Sequence, residues 1–248
     1  MKNPNGRPVV LVTGAARRIG ATIARSLHGA GFDLALHCRT SRAELEALCD
    51  ELEAARPDST LVLQADLAQA GAAPGLVEDT LRRFRRLDGL VNNASAFHPT
   101  PLGGIAPDEW NALFDVNARA PLLLAQAATT ALRESAGAIV NLIDIYAERP
   151  LPGYSVYCMS KAALAAATRA LARELAPEVR VNGVAPGAIL WPESGKEEAA
   201  REDIVARTPL GRAGEPADIA GTVLWLLRDA RFVTGQIIRV DGGRTLPA

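Results

Sequence analysis

The sequence predicts an α/β protein: a single-domain Rossmann-type doubly wound parallel sheet of about seven strands with helices on both faces. Three observations carry this expectation. Short β-branched runs alternate along the chain with longer stretches whose apolar residues recur every three or four positions. The short runs are apolar almost without interruption, as strands buried on both faces must be. At 248 residues and 48% apolar composition the chain can bury one large core, so one domain is expected over 1–248.

The first strand lies in PVVLVTG, and FDLALHC, STLVLQAD, LDGLVNNAS, GAIVNLID, VRVNGVAPG and GQIIRVDGG supply the others in order. Between them ATIARSLHGAG, RAELEALCDELEAAR, APGLVEDTLRRFRR, the long EWNALFDVNARAPLLLAQAATTALRES, SKAALAAATRALARELA and PADIAGTVLWLLRD read as helices. The stretch from Ala188 to Glu215 mixes Pro, Gly and charge and fits no core element. An insertion of that length is expected to be a substrate loop or lid.

The 27 basic and 28 acidic side chains are scattered and leave a net charge of -1, so there is no basic stripe for nucleic acid. No stretch approaches the roughly 20 apolar residues that span a bilayer. The N-terminal MKNPNGRPVVLVTG lacks the form of a signal peptide. A cytoplasmic protein acting on a small molecule is expected. Cys38, Cys49 and Cys158 have no CxxC spacing, and His28, His37 and His98 are isolated, so reduced thiols and no metal are expected.

VTGAARRIGATIARSL follows the first strand and opens the first helix, so backbone N–H groups of a glycine turn and a helix start can meet a pyrophosphate. Gly14 and Gly20 allow the turn and the close approach, with Arg17, Arg18 and Ile19 between them. Arg18 stands where a glycine is common; it either faces the pyrophosphate or begins a solvated helix. The second strand ends in HCRTS, where His37, Arg39, Thr40 and Ser41 are candidate cofactor contacts. No Asp or Glu is there to repel a 2′-phosphate, and a guanidinium with two hydroxyls favours one, so NADP(H) is expected. Asp66, followed by Leu67, ends the third strand where adenine would lie.

Tyr157 and Lys161 are four residues apart on a helical pattern and share one face. A tyrosine with a pKa near 10 is a poor acid–base group alone, and a nearby ammonium brings proton exchange within reach. Tyr154 has Cys158 at the equivalent spacing and is not a candidate. The glycine turn, VNNAS at 91–95 and Asn117 in DVNA accompany the pair.

On these motifs, from Val10 to VDGGRTL near the end, the chain resembles the short-chain dehydrogenase/reductase family. The resemblance implies that Tyr157 is the proton donor, that Lys161 binds the nicotinamide ribose and lowers the tyrosine pKa, and that Asn117 holds a proton-relay water. It also implies cofactor contacts from Asn93, Ala94 and Ser95, from Pro186, Gly187 and Ile189, and from Tyr157 and Lys161. A homotetramer built on the two long helices, 108–133 and 155–176, is implied as well.

One position departs from the family pattern. Thirteen residues before Tyr157, where the family usually has Ser, stands Asp144. A serine hydroxyl can donate to a substrate carbonyl, whereas an ionised carboxylate only accepts. Asp144, together with TGAARRIG, NASAFHPTPL, DIYAERPL and GAILWPE, is similar to the pteridine reductases of this family. That resemblance implies NADPH-dependent reduction of dihydropterins and dihydrofolate to tetrahydro forms, with hydride going to a C=N bond and a proton coming from Tyr157. Substrate contacts are then expected from Arg18, Ser95, Asp144, Tyr157, a stacking Phe97 and a lid residue, Trp191. Three readings stay open beside it: Asp144 as a cap of the turn that follows it, a carbonyl reductase or alcohol dehydrogenase of the same family, and a non-catalytic NADP-binding regulator. The intact Tyr157, Lys161 and Asn117 speak against the last.

Overall fold

Continuous apolar runs become strands with no wet face. Val9–Val12 (β1), Asp33–Cys38 (β2), Gly89–Asn92 (β4) and Ala138–Leu142 (β5) are buried along their whole length. With Thr60–Gln64 (β3), Arg180–Pro186 (β6) and Ile237–Val240 (β7) they form one parallel sheet in the order β3-β2-β1-β4-β5-β6-β7. The computed structural model describes residues 6–189 and 198–246.

Alternate strand residues face opposite layers. Val10, Val12, Leu34, Leu36 and Val140 pack with Ile23 and Leu27 of α1 (Arg18–Gly29), Leu45 and Leu48 of α2 (Arg42–Ala55), and Ile219 and Val223 of α8 (Pro216–Arg228). Val9, Leu11, Leu90, Ile139 and Val181 pack with Leu76 of α3 (Ala72–Phe84), Leu124 of α5 (Ala120–Ser135) and Leu171 of α6 (Ser155–Glu174). The chain runs outward from β1 to β3 and then returns to pair β4 on the other side of β1. This reversal opens a crevice at the carboxyl ends of β1 and β4, where doubly wound sheets bind ligands.

The long helical pattern before β5 is broken. α4 (Pro107–Phe114) gives way to one π-helical turn, Asp115–Arg119, before α5 begins. Pro121 supplies the reason: it has no N–H for the carbonyl four residues back, that of Asn117, and its ring crowds that carbonyl, so the helix takes up an extra residue there.

The stretch 188–215 contains one further helix, α7 (Glu198–Ala206), which apolar periodicity did not reveal. Its ends meet: Gly214 N–H donates to the Ala188 carbonyl at 2.9 Å, and Ile189 and Gly214 form a one-residue parallel bridge. Leu210 N–H bonds to the Gly242 carbonyl, and Arg244 Nη1 bonds to the Ile204 carbonyl, so the C-terminal loop braces α7. Trp191 lies outside the described residues. Among the described residues no helix is long and apolar enough to cross a membrane, no His/Cys/Asp/Glu group could hold a metal, and the three cysteines are free and buried.

Candidate active site

The glycine turn is welded to the end of β4. The Thr13 hydroxyl accepts from the N–H groups of Asn93 and Ala94 at 3.0 Å each, and Asn93 Nδ2 donates to the carbonyls of Thr13 and Gly14 at 2.9 Å. Gly14 has φ +64°, and a Cβ there would lie 2.9 Å from Ala94 Cα. At Gly20 a Cβ would come within 2.1 Å of the Gly14 carbonyl oxygen. The floor is thus bare backbone, which a pyrophosphate can approach closely. α1 has no side-chain cap at Arg17 and no acid in its first turn, leaving its N-terminal N–H groups for an anion.

Arg18 adopts φ +51°, the left-handed region that explains why glycine is common at this position. Its guanidinium and that of Arg39 pair with no carboxylate among the described residues, whereas Arg17 pairs with Glu44 and Arg42 with Glu46. Glu44 and Glu46 of α2 are thereby paired, and Arg18 and Arg39 remain without a carboxylate partner among the described residues, an arrangement compatible with a phosphate-bearing ligand. Ser41 stands at the start of α2 beside exposed Thr40. Asp66 Oδ1 accepts from Ala68 N–H at 3.0 Å and closes its own turn.

His37 sits beneath this surface and is not on it. Its Nδ1 lies 3.3 Å from Gly14 N–H and its Nε2 lies 3.0 Å from the Ala65 carbonyl, so the ring is the Nε2-protonated tautomer with both nitrogens engaged. Burial pushes its pKa down, which keeps it in that neutral form. It holds the glycine turn from beneath. Leu67 and Ile189 are likewise core residues, Ile19 packs against the core, and Gly187 lies where a Cβ would meet Asp241 Cα at 2.7 Å.

Asp144, Tyr157 and Lys161, the candidate catalytic residues, come together where β5 ends and α6 begins. Asp144 does cap the turn after it: Oδ1 accepts from Tyr146 N–H at 2.9 Å. Its other oxygen, Oδ2, accepts from the Tyr157 hydroxyl at 2.7 Å, so capping and contact with the tyrosine coexist. Lys161, only 2% exposed, donates to the Leu142 carbonyl at 2.9 Å, and its Nζ lies 5.9 Å from the centre of the Tyr157 ring. Burial lowers the lysine pKa to about 8, partly offset by Asp144. Burial also raises the Asp144 pKa.

The lowering of the Tyr157 pKa that the family resemblance implied is not found in the protein alone. Burial and then the Asp144 charge and hydrogen bond push the phenol well above its ordinary value. Tyr157 is therefore held in its protonated form at neutral pH.

Asn117, in the π-helical turn, has every side-chain position in use. Oδ1 accepts from Ser95 Oγ at 3.0 Å and Ala96 N–H at 2.8 Å, while Nδ2 donates to the Ala96 carbonyl at 2.9 Å and Ser160 Oγ at 3.0 Å. The side chain is thus committed to the protein, and the Asn117 backbone carbonyl lacks the usual helical donor because Pro121 has no N–H. Phe97 is 54% exposed, stacks on Tyr154 with centroids 4.7 Å apart at 14°, and meets Tyr157 edge-on at 4.7 Å. It is an exposed ring braced by two tyrosines, not a core residue.

Several contributors escaped the sequence. Ser160 accepts from Asn117 and donates to the Tyr157 carbonyl at 2.7 Å, and Tyr154 backs Phe97. Tyr154 was visible only as a tyrosine with the wrong spacing, and nothing in the sequence marked Ser160.

A bare glycine floor beside two free cations, with a buried tyrosine–lysine pair across the same crevice, defines a dinucleotide-dependent oxidoreductase site. Comparison places it within a family: residues 14–245 match a family model described as enoyl-(acyl carrier protein) reductase, and the chain belongs to the short-chain dehydrogenase/reductase family. An uncharacterized oxidoreductase of Methylorubrum extorquens is 39% identical over 95% of this chain and 96% of its own. Pteridine reductase 1 of Leishmania tarentolae is 36% identical over 96% of each chain. A 3-oxoacyl-(acyl-carrier-protein) reductase of Staphylococcus aureus is also 36% identical, over 94% of this chain and 96% of its own. Overall identity does not choose between a pterin and a carbonyl substrate.

Proposed function

We propose that the protein is an NADPH-dependent pteridine reductase that converts dihydropterins and dihydrofolate to their tetrahydro forms. The Asp144–Tyr157 hydrogen bond of 2.7 Å is the observation that carries this reading. A carboxylate there accepts from the amino and ring N–H groups of a pterin, which a ketone lacks. It also keeps Tyr157 protonated until a ring nitrogen needs the proton. Phe97, exposed on a loop and braced by Tyr154, offers a flat face to a flat heterocycle, a contact worth about 1 kcal/mol.

The bare backbone at Gly14 and Gly20, the start of α1 and the free guanidiniums of Arg18 and Arg39 suit NADPH, which when bound supplies hydride for the carbon of the substrate C=N bond. Tyr157 gives its hydroxyl proton to the nitrogen. The Lys161 ammonium, buried on the same face of α6, stabilises the phenolate that remains.

The test is NADPH oxidation with dihydrobiopterin, dihydrofolate, a 3-oxoacyl thioester and simple ketones. Turnover is expected with the first two. Brisk reduction of the thioester or ketones with none of the pterins would transfer the assignment to a carbonyl reductase, the reading that the Staphylococcus aureus relative supports.

A further inference from the structure

Phe97 hangs between two clamps. On one side Asn117 grips residue 96 by both backbone groups, at 2.8 Å from Ala96 N–H and 2.9 Å to its carbonyl. On the other side stands Thr100, fully buried. Its N–H donates to the Gly153 carbonyl at 2.7 Å, its Oγ1 accepts from Val156 N–H at 3.3 Å, and it forms a one-residue parallel bridge with Tyr154.

Val156 is the second residue of α6, and its N–H is one of the orphan donors of a helix start. The cap position itself is Tyr154, whose side chain caps nothing. A hydroxyl from a different loop thus performs the capping that Ser, Thr or Asp ordinarily performs in place. Tyr157 follows Val156 directly, and Tyr154, the ring on which Phe97 stacks, is bridged to Thr100.

We propose that Thr100 is a positioning residue: it locks the loop carrying the stacking ring to the first turn of the helix carrying the proton donor. The spacing between the substrate plane and the Tyr157 hydroxyl is then set by one buried threonine. This inference rests on the reading of Phe97 as a wall of the substrate site.

Thr100→Val keeps the shape and removes the acceptor, and Thr100→Ser keeps the acceptor. Expected for Thr100→Val is a loss of about tenfold in kcat/KM, with most of it regained in Thr100→Ser. The Kd for NADPH, followed by fluorescence, should stay within about twofold, since no cofactor contact is touched. In a Phe97→Ala background the further loss from Thr100→Val should shrink, because Thr100 acts through that ring. Additive losses, or an equal loss of NADPH affinity, would mean that Thr100 only packs the loop. If Thr100→Val does not fold, Tyr154→Leu, which removes the backing ring, must give the same split between turnover and cofactor binding; its failure to do so overturns the proposal. Whether the parent reduces dihydrobiopterin tests the functional reading, whereas the variant-to-parent ratio, on whichever substrate of the panel the parent reduces, tests Thr100.

Discussion

Tyr157 Oη and Asp144 Oδ2 are 2.7 Å apart, joined across the junction of β5 and α6, while the neighbouring Lys161 ammonium is spent on the Leu142 carbonyl. The tyrosine therefore answers first to the carboxylate. Replacing Asp144 by Ser, the usual family residue, removes two of the causes that hold the Tyr157 pKa up, and burial, with smaller contributions from Cys158 and Tyr146, remains. Dihydropterin reduction should fall while NADPH binding persists. The alkaline limb of the pH–rate profile should shift to lower pH as the phenol titrates earlier, and any acid limb due to the Asp144 carboxyl should vanish. A folded Asp144→Ser variant with the parent's rate at every pH would remove the case for Asp144 as a pterin residue.

Lys161 makes the fold itself sensitive to pH. Its folded pKa of about 8 lies below the ordinary 10.5, so the buried charge weakens the fold at and below neutral pH. That penalty fades as pH rises through 8 toward 10.5, because the folded state sheds the proton first. Relative to Lys161→Met, the parent should gain stability across this window, by about 3 kcal/mol at most. Urea unfolding of both proteins at stepped pH measures the difference; parallel curves would contradict the shift.

Cofactor choice should hinge on Arg39. Arg39→Asp exchanges a free cation for a like charge facing the 2′-phosphate. The Michaelis constant for NADPH is expected to rise on the order of 10²-fold, with little change for NADH. Equal effects on the two cofactors would show that Arg39 does not read the phosphate.

Arg18 holds a left-handed backbone at φ +51°, a conformation that costs a non-glycine residue about 1–2 kcal/mol. Arg18→Gly should therefore melt higher than the parent without ligand, yet bind cofactor and pterin about tenfold less well. A lower melting temperature would mean that contacts of the side chain, and not the ligand, justify the strained turn.

The sheet was legible because burial on both faces removes the polar alternation that otherwise makes short strands ambiguous, as VVLV and AIVNL illustrate. The tyrosine–lysine pair was legible because helix geometry turns a spacing of four into adjacency. The π-helical turn was not, since its residues continue the helical apolar pattern and only Pro121 betrays the interruption. α7 was hidden because the only large apolar residues of its EAAREDIVA segment, Ile204 and Val205, are adjacent and do not mark a face at helical spacing. His37 and Thr100 illustrate a further limit: each acts through a hydrogen bond to a distant backbone group, and chain spacing carries no trace of such bonds.

The bond between Ala188 and Gly214 has an evolutionary consequence. Because the segment between them departs just after β6 and returns just before α8 at two points fastened to each other, and is tied to the C-terminal loop at Ile204 and Leu210, its composition can drift with little disturbance of the strands or of α6 as long as those ties are kept. Such a segment can be exchanged as a cassette. Grafting the corresponding stretch of a relative with a different substrate, from residue 189 to residue 213, onto an otherwise unaltered chain is then a route by which one reductase scaffold acquires a new clientele while Asp144, Tyr157 and Lys161 stay in place.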